Sequence, residues 1–383
     1  MKVVTNLSLS SFGGIERVLA DVFGNSNGKL SPVFVTRSSQ DETEIFAYDS
    51  SQESEALPSF NSGIIPTFAI SKSFKEKWVS NYINGDYTNF NFTEPYVRRL
   101  ESYLREVKPD VALVNSTNDL AYLLSEASKR VGIPYVAAVH GLHSIEVGID
   151  KRFSEKAVIE GSNVSSFVSQ HVRNVVERNM EIIPVNPEVV YNSLDSRFIY
   201  LGEYPYKDGV CWVGRNHRIK NLDLLLDIAR DNPEDLFRAI INPPVVGNKP
   251  ENVEIRRPVN DPLTLSDFYR SHNFLLSTSL FETFGNVPLE AVCNGTPALV
   301  PRTMGISSLF DSIDLNHLVI DNLDKQKFSD RMKELRGYRI PVDTRRELGE
   351  MFSAQKVAQN YIDLLARAIH NSENSPDKKV NFS

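Results

Sequence analysis

The sequence has little cysteine, no strong excess of positive charge and no long apolar run, and each shortage excludes a class of protein. Among 383 residues there are two cysteines, Cys211 and Cys293, which lie far apart and lack metal-ligand spacing. We expect both to be small buried residues in a reducing compartment. The formal net charge of -7 argues against a nucleic-acid binder. No apolar stretch approaches the roughly 20 residues that cross a bilayer.

Several catalytic motifs are missing as well. The chain has no P-loop, no G-x-S-x-G turn and no complete G-x-G-x-x-G fingerprint. It also has no Asp-x-Asp, so a carboxylate pair for Mg²⁺ or Mn²⁺ on a diphosphate is not evident, and we predict no metal and no other cofactor. The start, MKVVTNLSLS, is too short and polar for a signal peptide. We predict a cytoplasmic protein, with the inner face of the membrane as an alternative location.

Short apolar runs alternate with helical patterns along almost the whole chain, which is typical of parallel α/β units. The alternation forms two series, and each series opens with a strand, a glycine-containing loop and a helix. A chain of 383 residues also exceeds the size that one core usually supports. The predicted strands are 3–7, 32–36, 111–115, 135–139, 166–169 and 189–191 in the first series, and 210–213, 237–241, 253–256, 274–277, 298–301 and 317–320 in the second.

These series predict an α/β protein with two facing Rossmann-like doubly wound domains. We expect an N-terminal, acceptor-side domain over 1–195 and a C-terminal donor domain over 208–350. The polar residues 371–383 predict a flexible tail. The long, mixed segment 40–95 is either a loop-rich insertion that reaches an acceptor or a plain surface excursion.

The stretch FETFGNVPLEAVCNGTPALV carries two carboxylates eight residues apart, Glu282 and Glu290. Pro288 suits the first position of a helix, so we place Glu290 in the opening turn. Gly285 lets the backbone approach a ligand closely. The N–H groups at such a helix start favour an anion, typically phosphate. A carboxylate beside phosphate would be repelled, so we assign both glutamates to neutral hydroxyl groups of a sugar or ribose.

Two loops after the opening strands carry further candidates. Arg215 and Lys220 lie five residues apart, so both can bind one anion, the first as a planar fork and the second as a point charge. The alternative is a solvated basic loop. Gly13 and Gly14 either let the backbone approach the donor phosphate or the transferred sugar, or form a tight turn without a ligand.

His140 ends a predicted strand, and open α/β sheets place ligand-contacting groups at the carboxyl ends of parallel strands. It either donates to a sugar hydroxyl or stabilises developing charge, or it makes a structural hydrogen bond. The role of a predicted helix near residue 75 is also open. Its Phe74 and Trp78, with Lys72, Lys75 and Lys77, predict either peripheral membrane contact or an ordinary surface helix.

Five segments, taken in order, resemble the glycosyltransferases of family four, which have the GT-B fold. They are Gly-Gly-Ile-Glu at 13–16, Val-His-Gly at 139–141, Val-Tyr-Asn-Ser-Leu-Asp at 190–195, Val-Gly-Arg with a lysine at 213–220, and the E-x7-E motif with Gly-Thr-Pro at 282–297. Departures from the family pattern are Asn221 in place of a common glycine, Ile-Asn-Pro-Pro at 241–244, and Asn115 where many relatives have histidine.

The resemblance implies roles for the candidates. The donor diphosphate would contact Arg215 and Lys220, and Glu290 would bind the nucleotide ribose. Glu282 would face the transferred sugar, with His140 approaching from the N-terminal domain. The backbone of Phe284, Gly285, Asn286 and Val287 would line the same sugar. A helix over 354–370 would return to pack on the N-terminal domain, and transfer would proceed with retention and without a required metal.

We therefore predict a retaining glycosyltransferase that uses a nucleotide-diphosphate sugar, with a UDP-sugar as the leading candidate. The acceptor would be a hydroxyl group of a glycan, a lipid-linked molecule or a protein. Two alternatives stay open. One is another GT-B chemistry, such as a nucleotide-sugar epimerase or a phosphorylase. The other is a sugar-binding scaffold that has lost catalysis.

Overall fold

The computed structural model describes most of the chain, and its described residues fall into two compact units. The described residues are 1–7, 14–38, 43–49, 64–83, 91–142, 144–145, 152–202, 208–243, 249–259 and 261–374. The first unit comprises 1–168, 173–190 and 354–383, and the second comprises 169–172 and 191–353. The predicted ranges 1–195 and 208–350 thus differ from these units mainly at 169–172 and 191–195, which group with the second unit.

The elements follow one another as strands alternating with helices. The strands are β1 Lys2–Asn6, β2 Ser31–Arg37, β3 Glu44–Asp49, β4 Ile64–Ile70, β5 Val111–Asn115, β6 Tyr135–Val139, β7 Val164–Phe167, β8 Glu188–Val189, β9 Val210–Arg215, β10 Phe237–Asn242, β11 Val253–Arg256, β12 Phe274–Leu276, β13 Ala298–Pro301 and β14 Val319–Ile320. The helices are α1 Gly14–Gly24, α2 Lys72–Ile83, α3 Glu94–Val107, α4 Asp119–Val131, α5 Arg152–Glu160, α6 Gln170–Asn174, α7 Leu222–Asp231, α8 Pro262–Arg270, α9 Asn286–Cys293, α10 Ile306–Ser312, α11 Lys325–Glu334, α12 Val342–Met351 and α13 Ala354–Glu373. Every predicted strand overlaps one of these strands, but the overlap is only one or two residues for β7, β8 and β14.

The first unit is built on one sheet, which in the described residues has eight strands in the order β3-β4-β2-β1-β5-β6-β7-β8. Its pairings are parallel except that of β3 with β4. Val3 and Val4 belong to different hydrophobic clusters, because successive side chains of a strand point to opposite faces. Helices α1 and α13 pack on one face, and α2, α3 and α4 on the other. Burial of both faces explains the continuous apolar runs in the sequence.

The C-terminal helix α13 belongs to the first unit, as the resemblance implied. Its buried stripe includes Val357, Tyr361 and Leu365 and joins the cluster that contains Val3 and Leu113. The helix runs to Glu373, three residues beyond the predicted end, and residues 375–383 of the predicted tail lie outside the described residues.

The structure corrects the membrane interpretation of α2. Phe74 and Trp78 are only 1% and 2% exposed. Both pack in the core of the first unit, where Phe74 contacts Tyr96 and Trp78 contacts Tyr122. The aromatic face that would have entered a membrane therefore lies inside the protein. In the described part of the chain, no helix is both long and apolar enough to cross a bilayer.

The second unit contains a six-stranded sheet with the order β11-β10-β9-β12-β13-β14 in the described residues. Every pairing in this sheet is parallel. The chain starts at β9, builds outward to β11, and then returns to build outward from β12. The strand order thus reverses between β9 and β12, and open α/β sheets bind ligands at the carboxyl ends of the strands at such a point.

Candidate functional site

The basic loop, residues 215–220, begins at the last residue of β9. It is hydrogen-bonded to the chain that follows β12. The Leu280 N–H donates to the Ile219 carbonyl at 2.7 Å. The Thr278 hydroxyl donates to the Lys220 carbonyl at 2.9 Å. These bonds join the two strand ends at the point where the sheet order reverses, so the loop is held in place by the fold itself.

Lys220 and Glu282, which are 62 positions apart in the sequence, form an ion pair. The Lys220 Nζ lies 2.6 Å from Glu282 Oε1, and the two side chains are 19% and 20% exposed. The Ser279 hydroxyl donates to the same carboxylate oxygen at 2.7 Å. Charge-assisted bonds of this kind are stronger than neutral ones, so the carboxylate is held in one orientation. The predicted sugar-binding and phosphate-binding residues are thus direct neighbours.

Arg215 is the last residue of β9 and is exposed. In the described residues its guanidinium has no ion pair or hydrogen bond to another side chain. Asn221 follows the basic loop with φ 51° and ψ 56°, a left-handed conformation. Glycine and asparagine are the residues that adopt it readily, so asparagine keeps the turn that glycine would make.

Helix α9 begins earlier than predicted. Its first residue is Asn286, and Gly285 caps it with φ 119°. A Cβ on Gly285 would lie 3.0 Å from the Met304 Cε and 3.1 Å from the Ile306 Cγ2, so a glycine is needed here for both conformation and space. Pro288 is therefore the third helical residue rather than the first. The N–H groups of the first turn come from Asn286 and the residue after it, Val287.

Glu290 is consequently the fifth residue of α9 and lies in its second turn, two positions deeper than predicted. Its carboxylate is largely buried, at 7% exposure, and accepts a hydrogen bond from the Tyr269 hydroxyl at 2.8 Å. Tyr269 lies in α8 and is fully buried. Sequence reasoning missed this tyrosine, because nothing in an amphipathic helix marks one aromatic residue as the partner of a distant carboxylate.

The side chains of the remaining motif residues support the loop. The Phe284 ring is buried between Tyr191 and Phe352, at centroid distances of 5.6 and 5.7 Å. The ring is therefore not available to a ligand. The Asn286 Oδ1 accepts from Asn192 at 3.3 Å. Ser279, which the sequence reasoning also missed, had a usable signal, since it is a polar residue just after a predicted strand.

In the first unit, His140 follows β6 and is 8% exposed. Its Nε2 lies 3.2 Å from the Tyr361 hydroxyl of α13, and the two rings are nearly parallel, with an interplanar angle of 12°. Gly14 is the first residue of α1. The predicted Gly13 lies outside the described residues. Over the described ranges, no group of histidine, cysteine, aspartate and glutamate side chains has the geometry to hold a metal ion.

A cavity of about 360 Å³ adjoins the basic loop. Its lining residues come from the basic loop and the residue after it, from α7, β10 and β11, and from the segment before β11: Asn216, His217, Arg218, Asn221, Leu222, Asp223, Leu226, Ala239, Ile241, Lys249, Val253 and Ile255. Lys220, Glu282 and Glu290 are not among its lining residues.

Comparison with known proteins supports a glycosyltransferase domain. The family described as "Glycosyl transferases group 1" matches residues 195–337. An uncharacterized glycosyltransferase of Methanocaldococcus jannaschii is 24% identical over 237 residues. That alignment covers 58% of this chain and 64% of the relative's length.

Solved structures share the whole fold. A sucrose-phosphate synthase from Thermosynechococcus elongatus has a TM-score of 0.67 at 13% identity, over 96% of this chain and 99% of that one. A lipopolysaccharide outer core galactosyltransferase has a TM-score of 0.67 at 15% identity, over 97% and 99%. An E. coli trehalose-6-phosphate protein bound with UDP-2-fluoro glucose has a TM-score of 0.65 at 10% identity, over 95% and 99%.

These likenesses confirm the predicted GT-B fold, with two Rossmann-like units and a C-terminal helix on the first. The match over 195–337 confirms a glycosyltransferase domain, and with it the predicted enzyme class, a transferase. The assignment to family four, the E-x7-E motif as a functional unit and the stereochemistry stay predictions.

Proposed function

We propose that this protein moves a sugar from a nucleotide-diphosphate sugar to an acceptor hydroxyl, with retention of configuration and without a metal. The observation that carries the proposal is the Lys220–Glu282 ion pair at the carboxyl edge of the second sheet. It joins a cation suited to a leaving phosphate and a carboxylate suited to sugar hydroxyls within 2.6 Å. A sugar linked to a diphosphate has hydroxyl groups close to phosphate oxygens, so both residues of the pair could bind it at once.

The second unit offers separate groups for each part of the donor. Lys220 has three N–H donors and uses one on Glu282, which leaves capacity for phosphate oxygens. Arg215 and the backbone N–H groups of Asn286 and Val287 can donate further hydrogen bonds to the same diphosphate. Glu290, oriented by Tyr269, is the proposed partner of the ribose. A UDP-sugar is the leading donor, and UDP-2-fluoro glucose is bound by one protein of the same fold.

The proposed reaction breaks the bond between the anomeric carbon and the phosphate oxygen and forms one to the acceptor oxygen on the same face. The acceptor proton passes to the departing phosphate oxygen. Arg215 and Lys220 stabilise the charge that develops on that phosphate, which is the electrostatic contribution a metal would otherwise make. His140 of the first unit is proposed to donate a hydrogen bond in the transfer step. The proposed acceptor is a hydroxyl of a glycan, a lipid-linked molecule or a protein.

The test is donor turnover by the purified protein in EDTA, over a panel of nucleotide sugars and acceptors. We expect nucleoside diphosphate release without added metal, and a loss on the order of 10²-fold in Lys220→Ala and Glu282→Gln. Lys325→Ala is the matched control, because Lys325 also pairs with a carboxylate, Asp231, at 2.8 Å but outside the site. NMR of the product reports whether the anomeric configuration is retained.

Several outcomes would overturn parts of the proposal. Equal turnover by the parent and both site variants would show that the donor does not bind at this edge of the sheet. Activity that vanishes in EDTA would contradict metal independence. An isomerised nucleotide sugar formed without any acceptor would indicate an epimerase, and tight donor binding without turnover across the panel would indicate a scaffold.

A further inference from the structure

Tyr361 is a fully buried phenol in the middle of the C-terminal helix. Its side chain is 1% exposed and belongs to the core cluster between α13 and the first sheet. Its hydroxyl lies 3.2 Å from His140 Nε2. The two rings are nearly parallel, with centroids 6.4 Å apart.

The buried phenol proton determines which imidazole nitrogen is protonated. Burial raises the pKa of Tyr361, so its hydroxyl keeps its proton. A buried hydroxyl donor is almost always hydrogen-bonded, and over the described part of the chain His140 Nε2 is the acceptor that this hydroxyl has. An imidazole nitrogen that accepts has no proton of its own. The neutral ring must then have its proton on Nδ1.

We propose that Tyr361 is a positioning residue, which fixes His140 in the tautomer with the proton on Nδ1 and holds the ring orientation. His140 then enters the transfer step as a hydrogen-bond donor through Nδ1 and not as a general base. The inference rests on the proposed function, because it assigns the chemical role of His140 in that reaction. It agrees with a reaction in which the departing phosphate takes the acceptor proton.

The same contact makes the C-terminal helix part of the reaction machinery. Tyr361 lies 221 positions from His140 in the sequence, and the packing of α13 on β5 and β6 places it against this ring. A hydrogen bond from a neighbour to one imidazole nitrogen is a general way to set the tautomer and the orientation of a functional histidine.

The first test reads the tautomer directly and does not need activity. The full-length protein, labelled with ¹⁵N at histidine, is measured by long-range ¹H–¹⁵N NMR, and the His140 signals are identified by their loss in His140→Gln. We expect a protonated Nδ1 and an unprotonated Nε2 in the parent. In Tyr361→Phe we expect a mixture of the two tautomers. An Nε2-protonated ring in the parent would overturn the inference, whether or not the protein proves to be a glycosyltransferase.

The second test is kinetic and has a matched control. Tyr361→Phe should lower kcat by about 10-fold to 100-fold, the range known for hydrogen-bond partners that orient metal-binding histidines, with the KM for the donor unchanged. Tyr103→Phe is the control, because Tyr103 is equally buried in the first unit but its hydroxyl has no hydrogen-bond partner in the described residues. Tyr103→Phe should keep the kcat of the parent.

A double variant separates positioning from plain destabilisation. In a His140→Gln background, Tyr361→Phe should cause no further loss of kcat, since its effect passes through the imidazole. An additive loss, or an equal loss in Tyr103→Phe, would show that Tyr361 only supports the core. If the parent turns over no donor, the proposed function fails, and the NMR result still decides the contact between Tyr361 and His140.

Discussion

At the residue scale, the Lys220–Glu282 ion pair brings together two residues for which the sequence predicted separate roles. A pair with both side chains about four-fifths buried interacts more strongly than an exposed pair, because less water screens the charges. Sequence reasoning could nominate both residues from their positions at strand ends. It could not show that they touch, since contact depends on how the chain after β12 folds back on the basic loop.

This burial leads to a prediction about stability in the absence of ligand. We expect a coupling free energy of about 1 kcal/mol between Lys220→Met and Glu282→Gln in a double-mutant cycle. The measurement is urea unfolding in a Trp78→Phe background, where Trp212 fluorescence reports on the second unit. The pair Lys325–Asp231, with side chains 50% and 38% exposed, serves as the reference and should couple by less than about 0.5 kcal/mol. Equal couplings would contradict the argument.

Tyr269 offers a second prediction at this scale. Tyr269→Phe removes the hydroxyl that orients Glu290, so nucleoside diphosphate should bind more weakly by about 1 kcal/mol, the worth of one hydrogen bond. Isothermal titration calorimetry measures this change. Tyr338→Phe is the control in the same unit, because its hydroxyl has no hydrogen bond within the described residues. An unchanged affinity of Tyr269→Phe for nucleoside diphosphate would contradict the proposed contact between Glu290 and the nucleotide.

At the element scale, the start of α9 depends on one backbone conformation. Gly285→Ala adds a Cβ at φ 119° and against Met304, so we expect a loss of about 1 to 3 kcal/mol in the free energy of unfolding. Donor affinity should fall with it, because the first-turn N–H groups move. Gly24→Ala is the matched control, since a Cβ there meets nothing within 4 Å. Thermal unfolding of both variants checks the difference, and equal melting temperatures would refute it.

The end of α8 is followed by a buried histidine that predicts a pH dependence. Burial lowers the pKa of His272 to about 4. The unfolded chain binds the proton near pH 6.5, so the stability from neutral His272 is fully present above about pH 6.5 and is lost as the pH falls toward 4. The loss should reach about 3 kcal/mol.

His272→Gln tests this prediction. The variant should show a smaller loss of stability between about pH 7 and about pH 4 than the parent, measured by urea unfolding at each pH. His171 and His317 also have lowered pKa values, because burial disfavours their charged forms. The free energy of unfolding of the variant should therefore still depend on pH to some extent. A pH dependence as steep as that of the parent would contradict the prediction.

At the scale of the whole molecule, each unit has its own core and its own tryptophan, Trp78 in the first and Trp212 in the second. Leu365→Ala, in the fully buried stripe of α13, should destabilise the first unit by about 2 to 5 kcal/mol. Ala366→Ser, at the exposed position next to it, is the control. Unfolding followed separately through Trp78 and Trp212, in single-tryptophan variants, should show the larger shift in the Trp78 signal. Equal shifts of both signals would contradict the prediction.

Most of this architecture could be predicted, because parallel strands buried on both faces leave apolar runs that are hard to mistake. Strands β3 and β4 were missed. β4 contains Pro66, and a proline inside a run argues against a strand unless the strand lies near a sheet edge. These two strands lie in the segment 40–95 and pair antiparallel with each other. The alternation of strands and helices seen in the rest of the sequence does not predict such a pairing. The sequence nominated the candidate site residues one by one, but it could not show which of them contact one another.

The assignment of residues 354–373 to the first unit has an evolutionary consequence. Apart from residues 169–172, the second unit is one continuous stretch, 191–353, which lies between two parts of the first unit and so is an insertion within it. Recombination that exchanged second units between relatives would need two crossovers, one close to 190 and another close to 353. A single crossover would bring in a foreign α13, and with it a foreign neighbour for His140.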